Sequence, residues 1–116
     1  QGRADIRRNL EKLDRFHVTQ FARLVAKMDA IREGDRSLLD NTMFVLGSGI
    51  SSGKLHIYTD LPTIVAGTGG GQMTTMNRHI RSPQGTPIAN LWLSLARAMG
   101  VKAKRIADST GPLSPF

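Results

Sequence analysis

The sequence predicts an α/β fold: a long N-terminal helix, two or three core strands and a C-terminal helix. Three observations carry this. Apolar residues recur at every third or fourth position across residues 4–33, the spacing of one helical face. Two short apolar runs, 42–47 and Leu61–Ala66, each run into a glycine-rich segment, as strands closed by turns do. A second helical spacing over 87–99 opens on Pro87 and is followed by Gly100, the usual asymmetry of helix start and stop.

The first helix is read over 4–33. Ile6, Leu10, Leu13, His17, Phe21, Leu24, Met28 and Ile31 step by three or four along it, and Glu11 precedes Arg15 by one turn and can support it. Gly34 fits the position just past a helix end, where a left-handed backbone is easiest for glycine. At 1.5 Å per residue the helix is ~45 Å long, which calls for a larger body to lie against. Ser37-Leu38-Leu39-Asp40-Asn41 reads as a turn into the strand at 42–47, whose nearly continuous apolar character suits a strand covered on both faces.

The loop 47–56, GSGISSGKLH, follows. The second strand, Leu61–Ala66, has Pro62 near its start, where a missing N–H is tolerated. After the glycine run 67–71, residues Gln72–Arg81 alternate weakly and are expected to be extended. In the C-terminal helix Thr86 is the candidate N-cap, and Ile88, Leu91, Trp92, Leu95 and Met99 form the apolar face. Val101–Ile106 is a candidate short strand, and the tail from Asp108 to Phe116, with Gly111, Pro112 and Pro115, is expected to be irregular. Residues 1–116 are thus expected to form a single domain or the C-terminal fragment of a larger α/β domain.

Composition narrows the function classes. The chain has 116 residues, 40% of them apolar and 22% charged, which is globular rather than disordered. It has no cysteine, so disulfides and thiolate metal sites are excluded. No apolar run approaches the ~20 residues of a membrane span. The N-terminus, Gln1-Gly2-Arg3-Ala4-Asp5, shows neither an apolar signal segment nor an initiating methionine, as expected of a processed product or a piece of something longer. The net charge is +7. It is spread: residues 1–36 hold nine Lys/Arg against six Asp/Glu, and residues 37–116 hold seven against three. Only Lys102-Ala103-Lys104-Arg105 forms a tight basic cluster.

Several residues could carry chemistry. Glycines after a strand can cradle phosphate when a helix begins there. No helical pattern follows Gly71, however, and the dinucleotide and P-loop fingerprints are absent, so Gly67-Thr68-Gly69-Gly70-Gly71 reads better as a tight turn. His17, in the helical stripe, reads as a core histidine before a ligand. His79, between Arg78 and Arg81, reads as a surface group that could assist anion binding. His56 lies beyond the carboxyl end of an apolar strand, where open α/β sheets bind ligands, and Asp60 follows four residues on. A histidine and a carboxylate suit a divalent cation such as zinc, yet a catalytic zinc takes about three protein ligands. Spacing alone leaves His56 open between a ligand and a loop histidine.

Longer stretches carry a resemblance. RFHVTQFARLVAKMDAIREGDRSLLDNTMFVLGSGISSGKLH, DLPTIVAGTGGGQMTTMNRHIRSPQGTPIANLWLSLARAMGV and DSTGPL together resemble the C-terminal part of the HXXSHH family, bacterial proteins that are mostly exported. Leu39-Asp40-Asn41-Thr42, Asp60-Leu61-Pro62, the glycine run, Arg78-His79-Ile80, Thr86-Pro87 and Asp108-Ser109-Thr110-Gly111 fall in the family's order across nearly the whole chain. That family looks related to the alkaline-phosphatase and sulfatase superfamily. The resemblance implies the C-terminal portion of an alkaline-phosphatase-like fold, a divalent-metal site (zinc foremost) at the strand ends, phosphate- or sulfate-like substrates, and a periplasmic or exported location. It makes His56 and Asp60 the candidate metal residues, Asp60 as support to His56. Lys54, Arg78 and His79 become candidate anion-binding residues.

The chain departs from the family inside the loop. Members read like Ser-Asp-Gly-Asn-x-His, often with a further histidine two residues on. Here the loop is Ser51-Ser52-Gly53-Lys54-Leu55-His56, with Tyr58 at the later position. A hydroxyl replaces the anionic ligand, and a nearby ammonium opposes a dication. The expectation is a hydrolase-like protein with a degraded metal loop that is not catalytic alone. Two other readings stand beside it: a non-catalytic domain acting through a second copy or a missing N-terminal half, and a basic nucleic-acid module using Lys102, Lys104, Arg105, Arg78 and Arg81. The last is not favoured, because no aromatics are interleaved for base stacking.

Overall fold

The computed structural model describes residues 2–74 and 77–113. The chain is mixed α/β, with a long N-terminal helix, two small antiparallel sheets and a C-terminal helix. It divides into two units, Gln1–Leu38 and Leu39–Phe116.

In the first unit, α1 spans Gly2–Ala30, with Asp5 in its first turn and Lys27 in its last, each sign suited to its end of the helix dipole. The helix stops three residues short of the expected 33. The strands β1 (Arg32–Glu33) and β2 (Arg36–Ser37) pair antiparallel, Arg32 with Ser37 and Glu33 with Arg36. Gly34, at φ +67°, is therefore a hairpin-turn residue and not the glycine after the helix. Both sites need a left-handed backbone, so the sequence signal is the same. The Arg32 guanidinium holds the Asp35 carbonyl across this turn, and Leu38 N–H donates to the Ile31 carbonyl at 2.8 Å.

The helix stripe is not uniformly covered. Phe21, Val25 and Met28 are half-buried, whereas every residue from 3 to 20 is exposed. His17 is among the exposed residues, its ring meeting that of Phe16 edge-on at 5.8 Å. It is therefore not a core histidine.

In the second unit, β3 (Phe44–Gly47) and β4 (Thr63–Ala66) pair antiparallel, with Val45 opposite Val65 and Leu46 opposite Ile64. Side chains alternate across a strand. Val45 and Val65 share one face and, with Met43 and Leu113, pack on Met73, Leu91 and Leu95. Those two leucines belong to α2, Ala89–Ala98. The buried side of α2 is broader than its apolar spacing suggests. Leu93 is fully enclosed, at 0% exposure, and the polar Asn90 and Ser94 are buried, while Ile88, Trp92 and Met99 lie exposed.

The start of α2 also differs from expectation. Ile88 occupies the N-cap with no side-chain cap. Thr86 instead closes the preceding turn, its Oγ1 donating to the Pro83 carbonyl at 2.7 Å. The end is as read. Gly100 has φ +83°, its N–H bonds the Arg97 carbonyl, and Val101 N–H bonds the Ala96 carbonyl, each at 2.9 Å. This paired closure satisfies the last helical carbonyls.

Two expected extended segments are absent. Among the described residues of Gln72–Arg81 there is no strand, and Thr75 and Met76 lie outside the described residues. The glycine run folds back too tightly for a strand to leave it: Gly69 N–H bonds the Thr42 carbonyl at 3.1 Å, and Gly70 N–H bonds that of Asp40 at 2.8 Å. Val101–Ile106 is not a strand either. The tail is irregular through Leu113, and its last three residues lie outside the described residues.

Candidate functional site

The segment linking β3 to β4 is a hairpin arm rather than an open loop. Ser48 N–H reaches the Pro62 carbonyl at 3.3 Å, and Ser51 N–H reaches that of Ile57 at 2.8 Å. Ser52 and Ile57 form a further antiparallel bridge. Between them Gly53, Lys54, Leu55 and His56 make the turn at the tip. Four-residue hairpin loops are commonly built on a type I turn. Such a loop must redirect the chain into the returning strand, and here His56 does so at φ +48°. Asp60 sits in a bend on the returning side of the arm at φ +53°, two residues before Pro62. His and Asp are among the residues that most readily adopt this conformation.

Ser52 has a structural task here. Its Oγ accepts the Leu55 N–H at 3.3 Å, a side-chain turn that orders the tip. Lys54 and His56 share that turn, and Lys54, His56 and Asp60 are all exposed. Arg78 and His79 are exposed in a separate irregular segment, as is Arg81.

The donor set does not by itself fit a complete metal centre. It offers one imidazole and one carboxylate, where zinc takes at least three protein ligands. Among the described residues no three His, Asp or Glu side chains group closely enough to hold an ion. In the second unit an open groove of about 360 Å³ is lined by Asn41, Thr42, Met43, Leu95, Ala96 and Met99, so the arm tip does not contribute to it.

The glycine run is a wrap over backbone, not a phosphate cradle. Besides the bonds of Gly69 and Gly70, Thr68 Oγ1 donates to the Asp40 carbonyl at 2.7 Å, and Gly71 N–H is taken by Thr68 Oγ1 at 3.1 Å. The amides that would meet an anion are already engaged. A Cβ on Gly67 would collide with the Thr42 and Leu39 carbonyl oxygens.

The Asp108-Ser109-Thr110-Gly111 stretch is a clamp on α2. Asn90 Oδ1 accepts the Thr110 N–H at 2.8 Å, Ser94 Oγ accepts the Leu113 N–H at 2.8 Å, and Ser109 Oγ accepts the Ile106 N–H at 2.9 Å. Apolar spacing alone does not single out Asn90 and Ser94. The available signal is two polar side chains four apart in the otherwise apolar run 89–96.

Lys102, Lys104 and Arg105 are exposed in the segment after α2. Arg97 shapes that segment, donating from Nε to the Ala103 carbonyl at 3.0 Å. Among the described residues no helix is long and apolar enough to cross a membrane. Compared with known proteins, the chain matches no family model, no curated protein and no solved structure.

Proposed function

We propose that this chain is the later portion of an HXXSHH-type protein of the alkaline-phosphatase and sulfatase superfamily. Its fold would then be the C-terminal part of that larger sheet-and-helix body. In this reading the arm carries His56, supported by Asp60, to the edge of a divalent-metal site for phosphate- or sulfate-like groups, and the remaining ligands come from outside this chain. Lys54, Arg78 and His79 are the candidate anion contacts. The protein works outside the cytoplasm, in the periplasm or beyond.

One observation carries the reading: the arm presents His56, in its tip turn, and Asp60, on its returning side, to solvent, both on left-handed backbone. A solvent-facing imidazole is available to an ion, whereas a buried one would already be engaged. The chain alone is not a catalyst in this reading, since Ser52 and Lys54 stand where an acid and an amide would serve a cation. No reaction step is assigned to it.

Zinc titration followed by calorimetry tests this. Weak binding is expected for the chain, none for His56→Ala, and binding about tenfold tighter for the double variant Ser52→Asp/Lys54→Asn, which adds an anionic ligand and removes a cation. Equal heats from the chain and from His56→Ala would refute a metal role for the arm.

A further inference from the structure

We infer that the N-terminal half of α1 pairs antiparallel with the same segment of a second copy of this chain. The inference concerns a surface separate from the arm and does not rest on its metal role. It begins from exposure. Ile6, Leu10 and Leu13 are 60%, 54% and 53% exposed on a helix whose residues 3–20 are all solvent-facing. Their spacing of four and then three, continued by His17, is the repeat with which one helix seats its side chains between those of another.

Charge selects the partner and its direction. Arg7 and Asp14 are seven residues apart, so they lie on the same flank of the stripe, each following a stripe residue. In a parallel, in-register pair this flank meets the opposite flank of the second copy. Arg7 then comes beside Gly2 and Asp14 beside Asn9, and no ion pair forms. In an antiparallel pair the same flanks face each other in reverse. With Leu10 set opposite Leu13 of the second copy, Ile6 meets His17, and Arg7 comes within about 3 Å along the axis of Asp14. The two-fold axis repeats each contact, giving two Arg–Asp pairs beside an apolar seam. A sequence that complements itself only when reversed points to its own copy as the occupant.

Sedimentation equilibrium of the full chain over a concentration series tests this, with circular dichroism confirming that each variant keeps its helix. A reversible dimer is expected. Leu10→Asp should abolish it. Arg7→Asp or Asp14→Arg alone should weaken it by about fivefold or more, and the double exchange Arg7→Asp/Asp14→Arg should restore it, since exposed pairs contribute modestly and like charges oppose. A monomer at every concentration would overturn the inference, including one that binds anionic vesicles instead. So would a dimer indifferent to Leu10→Asp, or a double exchange no better than the single changes. Zinc heats unaffected by Leu10→Asp would separate this failure from any failure of the metal reading.

Discussion

Asn90 and Thr110 are joined twice across twenty residues of chain. The Asn90 carbonyl oxygen accepts the Thr110 N–H at 2.8 Å, and its amide donates to Thr110 Oγ1 at 3.1 Å. Asn90 is 6% exposed. It therefore fastens an irregular tail to a helix by satisfying groups that burial would otherwise leave unpaired.

Truncating this link removes both hydrogen bonds between the buried Asn90 side chain and Thr110. Asn90→Ala should lower unfolding stability by about 1–3 kcal/mol. Chemical denaturation measures it, and a change within error would deny the clamp its role.

The glycine wrap separates steric need from conformational need. Gly67 and Gly70 both have positive φ, at +89° and +73°, but only at Gly67 would a Cβ strike backbone oxygens, while Gly70 opens onto space. Gly70→Ala should cost about 1–2 kcal/mol, the strain of a left-handed alanine. Gly67→Ala should cost at least about 3 kcal/mol, because overlap adds to strain. Equal melting temperatures for the two variants would contradict the wrap.

At the arm tip, geometry and chemistry pull apart. His56 holds a left-handed backbone that glycine adopts freely. His56→Gly should keep stability or raise it by up to about 1 kcal/mol, while removing the heat of zinc binding. A clear loss of stability would mean that the imidazole holds the arm together.

On α2, burial reverses part of the sequence expectation. Leu93→Ala should cost about 2–5 kcal/mol, since the side chain is fully enclosed and leaves a cavity. Met99, assigned to the apolar face by its spacing, is 64% exposed, and Met99→Ala should change stability by only about 0.5 kcal/mol. Comparable losses at the two positions would place the core elsewhere on the helix.

Local signals were legible wherever the chemistry is local. The 3.6-residue spacing predicts both helices, and Gly100 and Gly34 mark positions that demand a left-handed backbone. The sequence alone determined this much: two helices, two short apolar strands, a glycine turn without a phosphate motif, and one histidine-bearing loop. Tertiary structure decided the rest. It made Gly34 a hairpin residue, turned Gly67–Gly71 back over the carbonyls of Asp40 and Thr42, and buried Asn90 and Ser94 beneath the tail. It also raised His56 on a paired arm whose tip Ser52 ties. Each of these outcomes depends on which distant backbone groups come within hydrogen-bonding reach, and no window along one chain contains that information.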